Sequence, residues 1–254
     1  MPNLTGKTAL VTGASRGMGR AIAQRLAADG AQIAVHYAAD ITAAKETVSA
    51  IEQAGGSAFL IQSEFGVAGD VAALVAGLGG QPLDILVNNA ACGNLDTLFA
   101  GSIDRLTPQQ FDEVFAINVK APFFLIQAIL PLLRDGGRII NISSPSTRIA
   151  ISAQIAYAMT KGAVETMSRT LANSLGARGI TVNTVVPGAT DTNVNNVLHA
   201  PETRAAMTSV TALGRIGQPS DIADAVAFLA SDDARWITAN VLDATGGMFL
   251  GPFG

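Results

Sequence analysis

The chain has 254 residues, the size at which a single hydrophobic core stops growing, about 250–300 residues, so one domain over residues 1–254 is expected. Apolar residues make up 49% and charged residues only 14%, against about 25% charged in an average domain; this excludes disorder and points to subunit interfaces. A net charge of −4 excludes a nucleic-acid surface, and Met1 to Lys7 lack a secretory pattern, so a cytoplasmic protein is the expectation.

Short β-rich runs alternate with segments of helical period. The strand candidates are Thr8–Thr12, Gln32–Tyr37, Ala58–Gln62, Ile85–Asn88, Arg138–Ile142 and Thr181–Val186, with a last one near Val241. Helical patterns lie between them at about 18–29, 40–54, 68–78, 108–133, 153–176 and 220–230. Such alternation makes βαβ units, whose crossovers are right-handed in nearly all cases. The expected class is α/β, a Rossmann fold: a doubly wound parallel sheet of about seven strands with helices on both faces. The longest central run without charge, Ala121 to Leu133, contains Pro122 and Pro131 and is shorter than the ~20 residues of a bilayer span, so no membrane partner is expected.

After the first strand the chain reads Thr12-Gly13-Ala14-Ser15-Arg16-Gly17-Met18-Gly19 and opens into a helix. Glycines here let the backbone approach a pyrophosphate held on the positive end of that helix, so Gly13, Ser15, Arg16, Gly17, Met18 and Gly19 are cofactor-binding candidates. The second strand ends Val35-His36-Tyr37-Ala38-Ala39, with no carboxylate before Asp40. An acid there would accept from the ribose 2′-hydroxyl of NAD. Its absence admits a 2′-phosphate beside Tyr37 and Ala38, and Arg16 supplies a guanidinium to bind one. NADP(H) is therefore expected in preference to NAD(H).

Tyr157 and Lys161 stand at i and i+4 on a helical face. An ammonium beside a phenol lowers its pKa and makes a usable acid or base. Ser143 and Ser144 both follow the apolar strand Arg138–Ile142, where a hydroxyl can donate to a carbonyl oxygen that gathers charge. The segment from Gly188 to Gly217 is a long excursion at the carboxyl edge of the sheet and reads as a substrate lid.

The glycine spacing, with Tyr157 and Lys161, resembles the short-chain dehydrogenase/reductase family, and the resemblance runs over essentially the whole chain. It selects Ser144, thirteen positions before Tyr157, as the serine. It implies that Asn118 binds a water linking Lys161 to solvent, and that Lys161 also holds the nicotinamide ribose. It implies further that Asn89 and Ala90 lie against the adenine ribose, that Glu64 and Phe65 meet the adenine, and that Pro187, Gly188, Thr190 and Thr192 hold the nicotinamide carboxamide. Asp243-Ala244-Thr245-Gly246-Gly247 resembles the family's tetramer-interface region, so a homotetramer or homodimer is expected. Ala91 and Glu64 depart from the family's usual Gly and Asp.

The implied activity is hydride transfer between NADP(H) and a carbonyl/alcohol pair, in particular reduction of a small apolar or cyclic ketone. The alternatives are a 3-oxoacyl-[acyl-carrier-protein] reductase and a non-catalytic NADP-sensing or scaffold protein. Leu171-Ala172 is followed by Asn173 where many carrier-protein reductases have arginine, and Asp135 stands beside Arg134. The pocket is expected from 93–99, 145–154 and 188–210, with Ile149, Ala150, Ile151 and Ala153 for an apolar substrate and Asn193 and Asn195 for a polar group. Cys92 reads as a small buried residue, His199 as a lid or surface residue, and Trp236 as packed in the carboxyl-terminal region or an interface. Two histidines 163 positions apart indicate no metal.

Overall fold

The computed structural model describes residues 3–92, 103–192, 198, 200–248 and 250. Seven strands, β1 (Thr8–Val11), β2 (Gln32–Tyr37), β3 (Ser57–Gln62), β4 (Leu83–Asn88), β5 (Leu133–Ile142), β6 (Thr181–Pro187) and β7 (Val241–Ala244), form one sheet in the order β3-β2-β1-β4-β5-β6-β7. Every pairing is parallel. The chain winds outward from β1 to β3 and then returns to β4 on the other side of β1. That reversal leaves a crevice at the carboxyl ends of β1 and β4, where ligands of such sheets bind.

The helices are α1 (Gly17–Ala28), α2 (Ile41–Gln53), α3 (Asp70–Gly77), α4 (Pro108–Phe115), α5 (Ala121–Ile129), α6 (Ile155–Leu175), α7 (Pro201–Ser209) and α8 (Pro219–Ala230). Strand side chains alternate between two cores. Ala9 and Val11 join Ile22 and Leu26 of α1 and Val226 of α8 on one face, while Leu10 joins Leu125 and Ile129 of α5 and Leu175 of α6 on the other. Truncating any of these buried leucines to alanine costs about 2–5 kcal/mol. Among the described residues, no helix is long and apolar enough to cross a membrane.

One expected helix divides. The pattern at 108–133 is not one regular helix: α4 and α5 are joined by a π-helical turn over Ala116–Lys120. The reason is Pro122, which has no N–H to donate to the carbonyl of Asn118 four residues earlier. The turn widens there, with Ala121 N–H bonded to the carbonyl of Ala116, five residues back. Thr107 starts this run with a reciprocal capping box to Gln110 and Pro108 in the first turn.

The excursion at 188–217 leaves and rejoins the sheet through a stem. Asp191 N–H donates to Gly217 and Gly217 N–H to Ala189, and Arg204 of α7 pairs with Asp191 at 2.8 Å. Trp236 does not pack against the rest of the chain; it is 96% exposed. Asn193, Asn195, His199 and residues 93–99, all expected around the pocket, lie outside the described residues.

Candidate active site

The turn after β1 is held by four side chains that close on it from different elements. Gly13 has φ +63°, and a Cβ there would lie 3.0 Å from the Cα of Ala90. At Gly19 a Cβ would lie 2.2 Å from the carbonyl oxygen of Gly13, so no side chain fits where the helix begins. The Asn89 Nδ2 donates to the carbonyls of Thr12 and Gly13 at 2.9 and 3.2 Å. The Thr47 hydroxyl lies 3.2 Å from both the Ala14 and Ser15 carbonyls, and Arg20 donates through its fork to Ser15. From below, the Nδ1 of His36 accepts the Gly13 N–H at 3.1 Å while its Nε2 donates to the Ser63 carbonyl at 2.9 Å.

Those two bonds require a neutral imidazole with its proton on Nε2. Burial holds His36 neutral, with its pKa lowered from 6.5 to about 4. Its ring stacks on Phe65 at 4.7 Å. That stack occupies one face of the buried Phe65 ring, while Glu64 is exposed. The Tyr37 side chain is buried in the core, so only its backbone and that of exposed Ala38 face the end of β2.

These features fit a phosphorylated dinucleotide. Helix α1 begins with no side-chain cap and no acid in its first turn, leaving its N–H groups to an anion. Asp40, the one carboxylate near the end of β2, caps α2 by accepting from Ala43 N–H at 2.9 Å. Of the two arginines at the turn, Arg20 is tied to Ser15, Ala43 and Glu46; Arg16 is exposed and pairs with no carboxylate among the described residues. Thr12 Oγ1 accepts from the N–H groups of Asn89 and Ala90, fixing β4's exit against the turn. With its Nδ2 committed to the turn and its N–H to Thr12, Asn89 keeps its Oδ1 and backbone carbonyl for a ribose. Ala91 keeps a negative φ, so the absence of glycine there brings no strain.

At the carboxyl end of β5, Ser144 is buried, with its hydroxyl beside that of Tyr157 on α6. Lys161, one turn later, donates to the Ile142 carbonyl at 2.9 Å and lies 5.5 Å from the centroid of the Tyr157 ring. Burial lowers its pKa from 10.5 to about 8. Tyr157 departs from the expected lowering: the dense surroundings raise its phenol. Lys161, itself desolvated and turned to the Ile142 carbonyl, does not overcome this. Ser143, the rival serine, donates to Glu165 at 2.7 Å and is held away from Tyr157.

Asn118 sits in the π turn with both ends of its amide engaged. Its Oδ1 accepts from Cys92 N–H at 2.8 Å, and its Nδ2 donates to Thr160, whose hydroxyl donates to the Tyr157 carbonyl. The side chain is thus a tie between β4's exit and α6. Its carbonyl is the one Pro122 cannot reach. Pro187 ends β6, and the Thr190 hydroxyl donates to the Gly188 carbonyl at 2.9 Å; Thr192 is half-buried nearby in the chain. Sequence reasoning missed Thr47, His36 and Thr160 as supports. Each lies far in sequence from what it holds, so only the tertiary pairing reveals it.

This fold and site define a short-chain oxidoreductase, and the chain belongs to the short-chain dehydrogenase/reductase family. A family profile described as enoyl-(acyl carrier protein) reductase matches residues 13–249. The 3-oxoacyl-[acyl-carrier-protein] reductase FabG of Staphylococcus aureus is 39% identical over 248 residues, covering 96% of this chain and 98% of that one. LugOII, a promiscuous reductase that catalyses keto-reduction at C1 during lugdunomycin biosynthesis, is 50% identical with a TM-score of 0.91 over 96% of this chain and 98% of its own. The angucycline C-6 ketoreductase LanV, solved with bound NADP, is 49% identical with a TM-score of 0.92 over 98% of each chain.

Proposed function

We propose that the protein is a single-domain, NADPH-dependent ketone reductase acting on a small apolar or cyclic carbonyl compound. The observation that carries this is the meeting of Ser144, Tyr157 and Lys161 at the crevice whose other wall is the turn at Gly13–Gly19. NADP(H), bound there by that turn and by Arg16, supplies the hydride. Ser144 donates to the carbonyl oxygen, and Tyr157 gives that oxygen its proton. Lys161 favours the phenolate that results and holds the ribose. Asn118, through its backbone carbonyl, holds the water that returns a proton.

An apolar substrate is supported by the segment between Ser144 and α6, where Ile151 and Ile155 are exposed apolar side chains, since an apolar surface suits an apolar ligand. LugOII, named for keto-reduction at C1 during lugdunomycin biosynthesis, and LanV, named as an angucycline C-6 ketoreductase, are each about half identical to this chain and support ketone reduction. Against a carrier-protein substrate, Arg134 is paired with Asp84 and Arg178 with Asp135, so neither offers a free charge to steer an acidic partner. Against a sensing role, Tyr157 and Lys161 are both in place. We assign the protein to the cytoplasm and to a homotetramer or homodimer: an apolar groove of about 800 Å³ lined by Phe115, Val119, Phe123, Phe124, Met167 and Leu171 contains none of the catalytic set and suits a second copy.

The test is a panel of cyclic and open ketones and a 3-oxoacyl carrier protein, each with NADPH and NADH, read by nicotinamide absorbance. Turnover of cyclic ketones with NADPH is expected. A strong, salt-sensitive preference for the carrier-bound substrate would overturn the substrate class, and absence of any turnover would overturn the enzyme reading.

A further inference from the structure

Behind Ser144 lies a short chain of polar groups that the activity has not yet used. The Ser144 and Ser146 hydroxyl oxygens are 3.0 Å apart, and Ser146 Oγ is 2.6 Å from the Oε1 of Gln154. Ser146 N–H also donates to Ser144 Oγ at 3.2 Å. Both serines are buried. Gln154 is half-buried in the 3₁₀ turn Ser152–Gln154 that leads into α6, three residues before Tyr157.

Proton counting fixes the direction of this chain. A carbonyl oxygen has no proton, so the Ser146 hydroxyl must donate to Gln154 Oε1. The proton between the serines then belongs to Ser144, whose oxygen is left to accept from Tyr157. In this direction Ser144 has nothing to donate to a substrate. A half-turn of the Gln154 amide reverses every bond: Nε2–H donates to Ser146, Ser146 donates to Ser144, and the Ser144 proton is released toward Tyr157 and the substrate oxygen. Both directions satisfy all three side chains, so neither leaves a buried polar group unpaired.

We propose that Gln154 is a positioning residue which, through Ser146, sets whether Ser144 accepts from Tyr157 or donates to the substrate carbonyl. This rests on the reading of Ser144 as the group that holds that carbonyl. The charged groups around the relay are Lys161 on α6, Glu165, which accepts from Ser143 and Thr147, and Arg148, paired with Asp243. They are common to every variant below.

Replacing Gln154 separates direction from mere presence. Gln154→Glu places an acceptor-only carboxylate opposite Ser146 and locks the non-donating direction, whereas Gln154→Leu leaves Ser146 no acceptor except Ser144 and favours the donating one. Tyr37→Phe leaves Tyr157 as the sole tyrosine, since the chain has two, so the phenol can be titrated in that background by its ultraviolet phenolate absorbance without any substrate. The midpoint is expected about one pH unit higher in Gln154→Glu than in Gln154→Leu. Adding Ser146→Ala to Gln154→Glu keeps the carboxylate but cuts the relay, and should remove that difference. Equal midpoints, or a shift that survives Ser146→Ala, overturn the relay. In turnover with NADPH, Gln154→Glu should lose about tenfold or more in kcat and Gln154→Leu less than about threefold, with KM for NADPH unchanged in both. A wild type that reduces no ketone defeats the enzyme reading, while the tyrosine titration still decides the relay.

Discussion

The buried His36 makes the glycine turn after β1 sensitive to acid. A folded pKa of about 4 against 6.5 in the unfolded chain means that between those values the unfolded state binds a proton the folded state refuses. Stability therefore falls as pH drops from 6.5 toward 4, and the gap corresponds to roughly 3 kcal/mol when fully developed. Protonation would also place a second N–H against the Gly13 N–H it now accepts, pushing the turn from its place. His36→Asn retains an acceptor and a donor but no titration; near neutrality it should be the less stable protein by about 1–3 kcal/mol, through lost stacking on Phe65. Urea unfolding at fixed protein concentration from pH 7 to about pH 4 should show this deficit shrinking or reversing by roughly 3 kcal/mol. A deficit that stays constant over that range would refute the argument, because the ring would then not be held neutral by burial.

Three further outcomes follow from the same geometry. Arg16→Ala should weaken NADPH binding about ten- to a hundredfold and leave NADH nearly unchanged, as a charge-assisted contact of roughly 1.5–3 kcal/mol requires; fluorescence titration of both cofactors checks it, and equal losses would defeat the 2′-phosphate assignment. Tyr157→Phe should abolish turnover while cofactor affinity stays within a fewfold, and retention of a tenth of the wild-type kcat would exclude Tyr157 as the proton donor. Lys161, with its pKa lowered to about 8, is a buried cation below that value. The unfolded chain binds the extra proton between 8 and 10.5, so wild type should gain on Lys161→Met by up to roughly 3 kcal/mol as pH rises through that window, measured by denaturation at each pH.

The strands were legible because each is a short apolar run between turn signals, and the glycine turn because strand, glycines and helix occur in order. The i,i+4 spacing picked out Tyr157 and Lys161, the family resemblance added Asn118 and chose Ser144 over Ser143, and the structure gathers Ser144, Tyr157 and Lys161 at one end of the sheet. What spacing could not show is where their hydrogen-bonding capacity goes. Asn89 and Thr190 turn out to serve the backbone around them, and Tyr37 serves the core, because a side chain's partner is chosen by packing rather than by neighbours in the chain. The raised phenol of Tyr157 was likewise invisible: the i,i+4 lysine is apparent in sequence, but desolvation is a property of the folded surroundings. Pro122 was in plain view inside the 108–133 pattern, and weighing its missing N–H would have divided that helix.

The widened turn at Ala116–Lys120 also constrains how this region tolerates changes in length. It lets one continuous rod satisfy two phase requirements: Val114 of α4 packs with Cys92 and Ala156, while Leu125, Ile126 and Ile129 of α5 cover the sheet, and Asn118 points inward between them. A regular helix rotates about 100° per residue, so removing one residue there would swing either the asparagine or the apolar stripe off its target. The same deletion in an exposed connection such as Gly79–Gly80 would be absorbed locally. Length variation should therefore be far more restricted across 108–129 than its ordinary composition suggests, and a deletion scan of the segment would show a phase dependence rather than a gradual decline.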